Sequence, residues 1–438
     1  MKKLVTLLAA AGMVASSVAP ASAADVKLDG FYRYSFQTAD TGFKGANKET
    51  VKGRMRLGLT ITASENLSGY TQFQIGTNQW GAQPKHGARD DFQTRQYYID
   101  WQVPGAPVKV RMGRQGLGLP ADAFGGNNVL GAGWGPRDGI VVSAKAADFI
   151  DVTALWARQA TDGDQNVDSN DTLDVFGLAA NLKFNGFSVA PWVAYAVMGD
   201  GLAEVGTWDT DYNFAQDDHA SRSYYFGGTA TVTAFDPFKL VVSAAFGSRE
   251  YNSSTYDDRE GYSVEAKASY KLGFGTPVVA AWYASGDDKG EALGSGILPG
   301  INPYSSPTGT FFDNGTNLDL GVDRYSTLGT WGVQLGVEDM SFLSGLTHAA
   351  TVTYIKGTND KATAAAGYAE YSSVHQYMTT KDAVVELALT SDYKIYKNLT
   401  ACLELAYLIN DFDEDLTAAR AADSEDDWRA GLTFTYKF

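Results

Sequence analysis

One cysteine, Cys402, stands in a chain of 438 residues. It excludes an internal disulfide and any cysteine-clustered zinc site, and its place in an apolar run gives it a packing role. Prolines number only 12, and no Pro- or Ser-rich linker divides the chain. A positive surplus is lacking too: the formal net charge is −16, which excludes the basic face that nucleic acid requires. The four histidines, His86, His219, His348 and His375, make no H-E-x-x-H motif, and G-x-S-x-G is absent. Nothing here implies a cofactor or an enzyme. A Ser–His pair assembled on a sheet would be the one route to a hydrolase.

Long apolar runs are also missing. The only one, Leu4–Val18, follows Lys2 and Lys3 and precedes Ala21-Ser22-Ala23. That is the layout of a secretory signal peptide, cleaved after residue 23. The mature part, 24–438, has no window apolar enough for a membrane helix.

The chain does contain 47 Gly, 24 Tyr and 22 Phe, and a hydrophobic pattern of period two. In the last strand Trp428, Ala430, Leu432, Phe434, Tyr436 and Phe438 share one face, and Arg429, Thr433, Thr435 and Lys437 take the other. "VKLDGFYRYSF" and "VKGRMRLGLTITAS" repeat the pattern. These segments run to ten residues or more, the length a tilted strand needs to cross a bilayer, whereas sandwich strands average five or six. Turns such as "ENLSG" and "PGAP" alternate with long polar loops such as "TDGDQNVDSNDT" and the segment from Gly286 to Gly309. The reading is all-β: one transmembrane antiparallel up-and-down barrel of 18 strands. A count of 16 follows if 137–145 and 149–158 are not strands.

The outward rows would carry an aromatic girdle that includes Tyr32, Tyr34, Phe36, Tyr97, Trp101, Tyr262 and Trp282, with the parity of Trp192 open. The inward rows would place Arg33, Lys52, Arg54, Arg56, Lys109 and Arg111 on a water-filled lumen. The third long loop, Gly116 to Asp138, is Gly-rich and nearly uncharged, so it can fold inward as a constriction. Asp122 and Asp138 would then form a negative wall facing the cations. The alternative is that the cations pair with inward acids such as Asp29 and Asp100. Acidic clusters in the other loops, such as Asp162–Asp171 and Asp411–Asp427, read as a solvated face rather than as sites for divalent cations.

The mature chain resembles trimeric bacterial outer-membrane porins, those of sulphate-reducing bacteria above all and general diffusion porins more distantly. "VKLDGFYRYSF", "RMRLGLTITASENLSGYTQFQIGTN", "VKVRMGRQGLGLP" and the terminal strand carry the resemblance. "SFLSGLTHAATVTYIKGTN" is similar to a hairpin of the 18-stranded substrate-specific channels, which favours the higher count. The resemblance implies a homotrimer set in outer-membrane lipid and lipopolysaccharide, with passive flow of ions and small hydrophilic solutes. It also implies a constriction motif at "ADAFGGNN", where Phe124, Gly125 and Gly126 match. Ala123 and Asn127 replace that motif's acids, so with the basic strand residues the expectation is a weak anion preference. It further makes Phe434, Tyr436 and Phe438 a signal for the assembly machinery. The competing readings are a barrel hydrolase and a structural or adhesive barrel with a blocked pore.

Overall fold

The computed structural model describes residues 25–40, 48–80, 92–131, 135–161, 172–200, 220–252, 257–292, 294–301, 307, 327–363, 377–413 and 426–438. The proposed signal peptide, most of the acidic loop clusters and three of the histidines lie outside them.

Eighteen antiparallel strands follow in chain order: β1 (Asp25–Asp40), β2 (Lys48–Ser64), β3 (Leu67–Gln79), β4 (Phe92–Gln102), β5 (Val108–Gly116), β6 (Pro136–Ala147), β7 (Ile150–Thr161), β8 (Thr172–Phe184), β9 (Phe187–Met198), β10 (Ser221–Val232), β11 (Phe238–Tyr251), β12 (Arg259–Tyr270), β13 (Thr276–Ala284), β14 (Thr330–Leu343), β15 (Leu346–Gly357), β16 (Ala383–Tyr396), β17 (Leu399–Asp411) and β18 (Asp427–Lys437). Each pairs with its neighbours in sequence, and β18 pairs with β1, so the sheet closes on itself. The higher strand count holds, and both segments that separated 18 from 16 are strands. Closure removes every free edge, as lipid requires of a sheet.

Strand parity sorts the side chains. Val26, Leu28, Tyr32, Tyr34 and Phe36 of β1 are exposed on the outside, while Ser35 and Gln37 are buried on the inside. The same outward exposure continues around the wall through Ile99, Leu178, Val193, Phe226, Leu335 and Leu405. A soluble protein does not leave an apolar surface of that extent in water, and lipid is the medium that covers it. Tight turns lie at one end of the barrel, and the long connections lie at the other.

At the seam, Phe438 exchanges two backbone hydrogen bonds with Gly30, both 3.1 Å. Its ring packs against Tyr32 and Tyr436 with centroids 5.7 and 6.2 Å away. Phe434 meets Phe36 edge-on at 6.4 Å. A side chain at Gly30 would collide with the Phe438 ring, so glycine opens the space that the ring fills.

Trp282 corrects the outward assignment. It pairs in register with Glu265 and Gly332, points into the lumen and is 5% exposed. Its strand reads Val278, Val279, Ala280, Ala281, so both faces are apolar and alternation carries no sign there. Trp192, whose parity the sequence left open, is also inward and buried.

Candidate functional site

The described residues of the third long loop, L3 (117–135), run along the inner wall. Leu117 lies over Gly139 of β6, where an added Cβ would come within 2.8 Å of the leucine methyl. Leu119 rests beside Gly177 of β8. Further on, the Thr229 hydroxyl donates to the Ala121 carbonyl at 2.7 Å, and the Ala123 amide donates to Ser243 Oγ at 2.9 Å. Asn128 Nδ2 donates to Glu265 Oε1 at 2.5 Å, and Ser243 Oγ donates to the other oxygen of that carboxylate at 3.0 Å. Phe124 meets Trp282 edge-on at 6.1 Å. The loop therefore runs past the wall from β6 to β13.

Its tip is a tight turn rather than a charged finger. Asp122 Oδ1 accepts from the Phe124 and Gly126 amides at 2.9 and 3.0 Å, and Gly125 takes a φ of 86°. Asp122 thus orders the turn and lies beside the buried Glu265. The expected negative wall does not form from Asp122 and Asp138. Asp138 sits on the outward row, 3.0 Å from Arg114.

Two further loops join L3 that no sequence motif pairs with it. In L7 (285–329), which reads as a polar external loop, Ile297 and Leu298 are buried with Val129, Leu130 and Tyr377 in one apolar cluster. Tyr225 O–H donates to the Pro299 carbonyl at 2.6 Å, and Ile301 N–H donates to the Val129 carbonyl at 2.9 Å. In L8 (358–382), Met378 packs with Trp282, Ile355, Val384 and Leu408 against β13 to β17. Asp287 joins the two loops. Fully buried, it accepts from Tyr377 O–H at 2.5 Å and from the Gly294 and Gly296 amides at 2.6 and 2.8 Å. Burial pushes its carboxyl above the usual range against the pull of these donors, and nearby Glu291 adds to the rise.

The described parts of these loops cover β6 to β17. The cations expected from the sequence lie on the inner wall of β1 to β5. Arg33 and Arg54 are register partners, and Lys52 and Arg56 share their row on β2. The guanidinium carbons of Arg33 and Arg56 stand 5.1 and 5.4 Å from the Phe31 ring centre. Gln74 gives its amide N–H to the Gly76 carbonyl at 2.7 Å, which aims its Oε1 at two guanidiniums. Arg56 Nε donates to it at 2.8 Å and Arg95 Nη1 at 3.1 Å. Arg95 was not among the expected cations. A register shift between Gln72 and Phe73 breaks strict alternation there and turns it inward. Asp100 holds Arg111 through two contacts of 2.6 and 2.8 Å and Lys109 at 3.1 Å. Those two cations follow the paired alternative.

Of the histidines, His348 alone is described. Its Nδ1 lies 2.8 Å from Ser391 Oγ, where β15 pairs with β16.

No known family model and no curated protein matches the sequence. Solved structures do match. OpdL of Pseudomonas aeruginosa superposes with a TM-score of 0.58 at 11% identity, covering 94% of this chain and 99% of that one. OccK11 (OpdR) of the same organism gives 0.57 at 10%, covering 94% and 96%. OpdK, an outer membrane protein solved with vanillate, gives 0.57 at 13%, covering 94% and 98%. This chain has the fold of these outer-membrane barrels. At such identities the likeness is one of architecture, and function rests on the site itself.

Proposed function

We propose that the protein is an outer-membrane porin that passes ions and small hydrophilic solutes passively, with a weak preference for anions. One observation carries this reading: the described loops pack on β6 to β17, and the water-lined side they leave is the arginine-rich wall of β1 to β5. Arg33, Lys52, Arg54, Arg56 and Arg95 set a positive field there, and Asp100 neutralises part of the charge of Lys109 and Arg111. L3, with Phe124, Gly125 and Gly126 at its turn, narrows the lumen from the other side. Export follows from the layout of the N-terminal signal, and assembly as a homotrimer from the sequence resemblance. Recognition of Phe434, Tyr436 and Phe438 by the assembly machinery follows from that resemblance too. The outward ion pairs Arg114–Asp138 and Arg158–Asp174 lie near the long-loop ends of their strands, and would meet lipopolysaccharide headgroups there.

Planar-bilayer recording of the purified protein tests the reading. Arg54→Glu with Arg56→Glu changes the wall by four charges. At about 10 Å in water, with the screening of about 0.1 M salt, each is worth roughly 0.15 kcal/mol, with opposite sign for anion and cation. The anion-to-cation permeability ratio should therefore fall about eightfold at that salt and more below it. An unchanged reversal potential would remove the arginine wall from the conduction path.

A further inference from the structure

Beneath L3, toward the short-turn end, the wall of β7 to β10 is hollowed into a recess of about 480 Å³. Its size lies within the range of small-molecule sites. Small residues make the hollow: Gly177, Ala179 and Ala190 line it where longer side chains would fill it. The roof is the L3 segment from Gly118 to Ala121, pinned at 2.7 Å by the Thr229 hydroxyl.

The polar lining is of one kind. Thr153, Asn181, Ser188 and Thr231 bring hydroxyl and amide groups, each able to donate and to accept, and Thr229, its proton given to Ala121, can still accept. Leu119 and Leu155 add apolar patches. Among the described residues no arginine or lysine lines the recess, and the one carboxylate there, Asp151, is matched by Lys183 at 2.6 Å. Anions therefore find their field elsewhere on the wall, at β1 to β5. A solute suited to this lining must itself both donate and accept hydrogen bonds, carry no charge, and offer C–H surface to the leucines. Those are the properties of a small polyhydroxylated compound.

We infer that the recess is a binding station for a neutral, sugar-sized polyol on its way through the lumen. The inference rests on the channel reading and adds to it a second, uncharged specificity. A station of this kind is weak by design, since a channel site must release its occupant.

The probe is glucose, added during single-channel recording of the full-length protein, with a methyl-capped oligoethylene glycol of equal mass as control. Glucose should raise open-channel noise in a saturable way, and the glycol should lower conductance only in proportion to viscosity. Ala190→Trp fills the hollow and should abolish the saturable component while conductance steps persist. Thr231→Val with Ser188→Ala keeps the shape and removes two hydroxyls, which should weaken glucose about tenfold. The second variant decides the matter if the tryptophan disturbs assembly. Non-saturable glucose noise in the wild type, or equal affinity in the double variant, would overturn the station and leave the channel standing. Absence of any conductance step would overturn the channel reading, and the station with it.

Discussion

Replacing Asn128 by alanine should loosen L3 without unfolding the barrel. Asn128 makes three bonds that leave the loop: Nδ2 donates to the Glu265 carboxyl at 2.5 Å and, weakly, to Ser263 Oγ at 3.5 Å, and Oδ1 accepts from the Thr327 hydroxyl at 3.2 Å. Truncation leaves the buried Glu265 carboxyl oxygen short of its donor, which costs about 1–3 kcal/mol. The Thr327 contact adds about 1 kcal/mol, part of which is recovered if water enters. The net loss of docking energy is then about 2–3 kcal/mol, roughly a 30- to 150-fold rise in the ratio of undocked to docked loop. Other anchors remain, namely Thr229 to the Ala121 carbonyl, the Ala123 amide to Ser243, and Leu117 over Gly139. The loop should thus stay docked most of the time and leave the wall more often. Single-channel records should show more frequent brief excursions to higher conductance. Limited proteolysis at Leu117, Leu119 or Phe124 should speed up by a similar factor. If neither changes, the bond to Glu265 does not hold the loop, and L3 owes its place to the other anchors.

Two further outcomes follow from the loops and the seam. Because burial raises the Asp287 carboxyl above its unfolded value of 3.8, the L7–L8 clasp gains stability below that pH and loses it as pH rises through the folded value. Amide exchange at Gly294 and Gly296, corrected for intrinsic rates, should therefore be slower at acid pH than at neutral pH. Asp287→Asn should flatten the trend, and an equal slope in the variant would exclude Asp287 as its source. Deleting Phe438 removes two ring contacts and a reciprocal pair of backbone bonds, a loss of about 2–4 kcal/mol at the closing seam. The yield of assembled protein should drop while the conductance of the assembled fraction holds, and a normal yield would count against any role in assembly.

The barrel was legible because lipid on one side and water on the other impose opposite demands on successive residues. Tyr32, Tyr34 and Phe36 against Arg33 and Ser35 leave no ambiguity of parity. Legibility fails where one of those demands lapses. In β13 the inner face is covered by Phe124 and Met378, so Val278 and Ala280 are as apolar as Val279 and Ala281 and the row cannot be told from its neighbour. At Arg95 the bulge resets the count, and alternation read back from Asp100 and Tyr98 misplaces the residue. The docking of L7 was hidden by its polar surroundings. Its signal was the short apolar island Ile297–Ile301, which an external loop would have no reason to carry. The bonds that fix L3 join residues far apart in the chain, such as Asn128 and Glu265, and no local pattern encodes them.

The glycines under the docked loops have a consequence for reading kindred chains. Gly139 receives Leu117, Gly177 neighbours Leu119, and Gly247 and Gly261 both lie under Leu298. Each is on an inward row, where a barrel filled with water would accept any polar side chain. Together they trace a footprint of the inner loops, pressed into the wall like a track. A sequence whose lumen-facing rows show such a track, strand after strand, discloses the route of its constriction from the strands alone. A chain that fills the track with larger residues must carry its loops elsewhere.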